Sequence, residues 1–87
     1  IDAGAEQALL HGGSLLPAGI TQITGVFERG DAVKVMSIDG RPIAVGLTNY
    51  GAADLQHLCG KKSTEIETIL GFTFGEEAIH RDHLVLL

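Results

Sequence analysis

The chain has 87 residues, 45% hydrophobic and 20% charged, the composition of a folded domain and not of a disordered tail. That length makes one domain over residues 1–87 with a modest core. Six basic against eleven acidic residues give a net charge of −5, which opposes a dedicated nucleic-acid binder, and the lone Cys59 excludes an intramolecular disulfide framework.

Chain order gives a short helix first. Ala5, Ala8 and Leu9 fall at i, i+3 and i+4, with Asp2 as N-cap and Gly12 as stop. Gly12-Gly13-Ser14-Leu15-Leu16-Pro17-Ala18-Gly19-Ile20 then reads as a tight connection whose backbone amides could face a phosphate. Ile20 to Phe27 is rich in Thr, Ile and Val and reads as a strand containing Gly25. Glu28-Arg29-Gly30-Asp31 is a turn into a second strand, Ala32 to Ile38. Asp39-Gly40 signals a hairpin to Pro42–Leu47, in which Gly46 permits a bend or a close approach.

Two further helices follow. Leu55, Leu58 and Cys59 share one face, with Gly60 as stop. Ile66, Ile69 and Leu70 share another, with a Thr64–Glu67 capping box and Gly71 at the end. Ala78–Arg81 and Leu84–Leu87 read as a closing strand interrupted at Asp82. Helix, strands, helices and strand argue for an α+β fold, a mixed or antiparallel sheet capped by short helices and curled into a partial barrel.

Motifs of catalysis and ligation fail on spacing. Gly60-Lys61-Lys62-Ser63 lacks the glycine that a phosphate loop needs at position 55, where Leu55 stands, and follows a helix. His80-Arg81-Asp82 resembles the start of a kinase catalytic loop, but the downstream Asn and every other kinase motif are missing. His57 and Cys59 do not share a helical face, and His80 and His83 fall on opposite faces of a strand, so no zinc pattern forms. Ser14, Ser37 and Ser63 lie in no nucleophile elbow. No catalytic residue, metal ligand or cofactor site is read in this chain. No apolar run is long enough to span a bilayer, and no signal peptide opens the chain. The start at Ile1 suggests a fragment or a processed product.

Several runs carry a family resemblance. Gly13-Ser14-Leu15-Leu16-Pro17-Ala18-Gly19-Ile20, Phe27-Glu28-Arg29-Gly30-Asp31-Ala32-Val33 and Ile43-Ala44-Val45-Gly46-Leu47 resemble the PUA domain, a small pseudo-barrel. Ile1-Asp2-Ala3-Gly4-Ala5, Leu47-Thr48-Asn49-Tyr50, Ile69-Leu70-Gly71-Phe72 and Glu77 to Leu86 resemble the C-terminal region of bacterial glutamate 5-kinases. One departure is Gly51-Ala52, where serines would cap the next helix.

The resemblance implies a cytoplasmic parent enzyme that uses ATP and Mg²⁺ to phosphorylate L-glutamate in proline synthesis. Its amino-acid kinase domain lies outside this chain. The chain itself is then expected to be non-catalytic and free of cofactor, regulating the kinase domain or self-association. The alternative that the family implies is RNA binding. Positions that match the contacts of RNA-binding relatives are Gly12, Gly13, Ser14, Leu15, His80 and Arg81.

Overall fold

Residues 1–87 are all described by a computed structural model. Helix α1 spans Ala3–Leu10, and the Asp2 carboxylate accepts the Ala5 N–H at 2.8 Å, as an N-cap should. Its apolar face is narrower than the spacing predicts. Leu9 is buried and Ala5 half-buried, but Ala8 is exposed. A 3₁₀ turn at Pro17–Gly19 follows.

The predicted strand over Ile20–Phe27 does not form. Gly25 takes a left-handed φ of 84°, and the carbonyls of Phe27 and Ile23 accept from Ala52 N–H and from the Gln56 side chain. The segment therefore laces onto the next helix instead of pairing in the sheet. Ile20 still enters the core, with Ile23 and Phe27 packed against it.

Strand β1 is Ala32–Met36 and β2 is Pro42–Leu47, antiparallel, with an irregular register between Val35 and Met36. The Asp39-Gly40 tip is as expected. The Ser37 hydroxyl donates to Asp39 and, with the Arg41 guanidinium, holds that carboxyl below its usual range. Arg41 also reaches Glu6 of α1 at 3.5 Å and so ties hairpin to helix.

Helix α2 is Ala52–Leu58, which buries Leu55 and Leu58. Its N-cap is Gly51, with no side-chain cap. The third helix begins with a 3₁₀ turn at Ser63–Glu65 and continues as α3, Ile66–Leu70. The Thr64–Glu67 box is replaced by a contact two residues earlier, Lys62 N–H to the Glu65 carboxylate at 3.0 Å. Ile66 is buried, whereas Ile69 is exposed. Gly71 ends the helix with φ 83°.

The closing strand is shorter than expected. Only Ile79 of Ala78–Arg81 pairs, in an isolated antiparallel bridge with Leu15. A 3₁₀ turn at Arg81–His83 makes the break, and β3 is Leu84–Leu86, antiparallel to β2. The sheet order is β1-β2-β3. The Leu15–Ile79 bridge, together with Asn49 N–H to Ala78 C=O at 2.8 Å, curls the ends of this sheet into the expected pseudo-barrel. All the pairings are antiparallel.

The core inside is built from Leu9, Leu15, Val35, Tyr50, Leu58, Ile66 and their neighbours. Tyr50 anchors the loop after α3. Its hydroxyl donates to Gly75 C=O at 2.6 Å and accepts from Phe74 N–H at 2.8 Å. No helix is long and apolar enough to cross a membrane.

Candidate functional site

Two segments far apart in sequence meet beside the Leu15–Ile79 bridge. The Arg81 N–H donates to the Ser14 hydroxyl at 2.8 Å, a contact across 67 positions. Gly12–Leu15 and His80–Arg81, the positions that the resemblance picks out, therefore lie side by side. Gly12 leaves α1 with φ 83°, a conformation that a side chain resists.

What that surface can offer differs from the expectation. Gly12 N–H donates to Leu9 C=O and Gly13 N–H to Ala8 C=O, which closes the end of α1. Leu15 N–H donates to Ile79 C=O. The amides of Gly12, Gly13, Leu15 and Gly19 are thus occupied within the fold. Leu15 is also a core side chain, 4% exposed, and presents nothing to a ligand. The Ser14 hydroxyl is already engaged by Arg81 N–H.

The remaining groups are the exposed Arg81 guanidinium, which makes no ion pair, and the half-buried His80 ring. His80 Nδ1 accepts from Asp82 N–H at 3.1 Å and lies 3.5 Å from the Asp82 carboxylate. That carboxylate puts a negative charge at the edge of the surface. The His80 and His83 rings lie 6.1 Å apart, because the 3₁₀ turn replaces the strand that would have separated them. No group of three or more His, Cys, Asp or Glu side chains gathers as a metal site. The surface can dock an anionic or polar group at Arg81, but it holds no nucleophile–base pair.

A second feature escapes sequence reading. The Phe72 and Phe74 rings pack at a tilt with centroids 5.1 Å apart, Arg29 lies 3.8 Å over the Phe74 ring, and Val26 lines the same groove. Its parts come from two segments some forty positions apart, so no local pattern marks it.

The Gly60–Ser63 segment does not fit a nucleotide phosphate. Gly60 N–H donates to Pro17 C=O and Lys61 N–H to Leu58 C=O, so these amides tie the end of α2 to the Pro17 turn.

Comparison with known proteins agrees with this architecture. A family model described as PUA domain matches residues 1–70. A glutamate 5-kinase from Deinococcus radiodurans is 56% identical over 100% of this chain and 24% of its own length. Those from Trichlorobacter lovleyi and Thermus thermophilus are 49% and 46% identical over 100% and 99% of this chain, and 23% and 24% of their own. The chain thus spans about a quarter of the length of the curated relatives it matches. Among solved structures, a PUA domain from Aeropyrum pernix K1, crystallised as a tartrate complex, superposes with a TM-score of 0.68 at 25% identity, over 95% of this chain and 40% of that one.

Proposed function

Because the chain belongs to the PUA domain family, we propose that it serves as the non-catalytic regulatory and interaction domain at the C-terminus of a glutamate 5-kinase. The observation that carries this reading is identity of 46–56% with glutamate 5-kinases over essentially the whole chain.

In this reading the parent is a cytoplasmic enzyme of proline synthesis. It transfers the γ-phosphoryl group of ATP to the side-chain carboxylate of L-glutamate. A phosphoanhydride bond breaks, an acyl-phosphate bond forms and ADP leaves. ATP and Mg²⁺ belong to the amino-acid kinase portion. The amides of Gly60, Lys61 and Lys62 are already bonded within the fold, and in this reading no step of the transfer runs through this chain. The domain's part is to tune the assembly, the magnesium dependence or the proline inhibition of the kinase portion. The test removes residues 1–87 from the longer enzyme and compares phosphorylation and inhibition with the intact form.

A second reading, RNA binding, draws support from the juxtaposition of Ser14 and Arg81. Against it stand the occupied amides of Gly12, Gly13 and Leu15 and a net charge of −5, since phosphate contacts dominate RNA affinity. Titrating the chain into fluorescent transfer RNA at low salt separates the two readings. Absence of an anisotropy rise is expected. Saturable binding that weakens with added salt would put RNA first.

A further inference from the structure

An antiparallel sheet with one face on a core usually turns polar side chains to water on the other. This sheet does not. The register places Val33, Gly46 and Leu84 on one rung and Val35, Ala44 and Leu86 on another; both turn toward the core, with Leu86 on the edge strand still 45% exposed. The rungs between them face outward. One holds Lys34, Val45 and Val85, and the next holds Ala32 and Leu47. Leu87 extends the outer face past Val85, with its N–H on Ile43 C=O.

Leu47 is 45% exposed, Val85 67% and Leu87 71%. Although the chain carries six basic and eleven acidic residues, Lys34 is the one charge on these outward rungs. A contiguous apolar face of this kind marks a contact surface.

We infer that the outer face of the sheet, centred on Leu47, Val45, Val85 and Leu87, is where this domain packs against the kinase portion of its own polypeptide. The inference rests on the glutamate 5-kinase reading and adds to it the surface through which regulation passes. Three considerations select this occupant. In the matched relatives about three-quarters of the polypeptide lies outside the matched segment, which keeps a large tethered partner at high effective concentration beside the domain. A second copy would bring another five negative charges to a face with no acid–base pairs to offset them. RNA would find one lysine there and otherwise alkyl groups.

Cysteine accessibility tests the inference. Leu47→Cys and Val85→Cys are made singly in the longer enzyme and in the 87-residue chain, with Cys59→Ser as background. Val26→Cys is the control, at a position 95% exposed and outside the sheet. Labelling by a maleimide is followed at each site by peptide mass spectrometry, and glutamate phosphorylation is assayed on the same samples.

The expected result is rapid labelling of all three sites in the 87-residue chain. In the longer enzyme, sites 47 and 85 label roughly tenfold or more slowly, as for a contact open a tenth of the time or less, and site 26 is unchanged. Equal rates at sites 47 and 85 in an enzyme that phosphorylates glutamate would overturn the inference and leave the glutamate 5-kinase reading standing. Absence of phosphorylation by the unsubstituted longer enzyme would overturn that reading itself. Protection that grows with the concentration of the 87-residue chain, or that needs added RNA, would assign the face to a second copy or to RNA and overturn the inference.

Discussion

At Gly46 a single hydrogen atom decides the packing. A Cβ there would lie 2.7 Å from Ile79 Cγ2 and 2.9 Å from the His83 carbonyl oxygen. The side chain could rotate, but the carbonyl belongs to the turn that leads into β3. Gly46→Ala is therefore expected to destabilise the domain by about 1–3 kcal/mol, the usual cost of overpacking, measured by urea denaturation. An unchanged midpoint would mean that β3 is free to move away.

Cys59 gives a second test at this scale. Partial burial pushes its thiol pKa up, and a backbone hydrogen bond offsets part of the rise. Folding thus favours the protonated thiol. Its contribution to stability is complete below the unfolded value of about 8.5 and is lost as pH rises through the folded one. Iodoacetamide is expected to alkylate Cys59 more slowly in the native chain than in urea between about pH 7 and 9. Equal rates would show the thiol to be freely solvated.

Elements were legible where local chemistry fixes them. Asp2 caps α1, Asp39-Gly40 turns the hairpin, and Leu55 and Leu58 mark the buried side of α2. Asp2→Ala is expected to cost about 1 kcal/mol by urea denaturation, because the Ala5 N–H loses its acceptor, and Asp2→Asn should retain most of that stability. A loss as large for Asn as for Ala would assign the effect to charge instead of capping.

Ile20–Phe27 was misread because its β-branched residues suit a strand, while its carbonyls are taken by Ala52 and Gln56 of a helix some thirty positions later. Composition does not record such a partner. The Thr64–Glu67 box failed for a similar reason, because the 3₁₀ turn at Ser63–Glu65 moved the helix start upstream.

Across the whole molecule, positions that the family resemblance picks out at the two ends of the chain lie side by side, since the Arg81 N–H meets Ser14. The resemblance did not reveal that the fold itself occupies the amides of Gly12, Gly13 and Leu15. The Gly12 and Gly13 bonds are the local closure of α1, whereas the Leu15 bond depends on the bridge to Ile79 that closes the barrel. The apolar outer face was hidden too. Val45, Leu47 and Val85 read as ordinary strand residues until the register shows which rungs point outward.

The account makes this chain a regulatory domain, and removing it from the longer enzyme tests that most directly. Glutamate phosphorylation is measured with and without residues 1–87, across proline and Mg²⁺ concentrations, with oligomeric state followed by light scattering. The truncated enzyme is expected to keep turning over glutamate, because no catalytic group is lost, while its proline inhibition, magnesium dependence or assembly changes. Identical inhibition, magnesium dependence and assembly in the two forms would contradict the regulatory role.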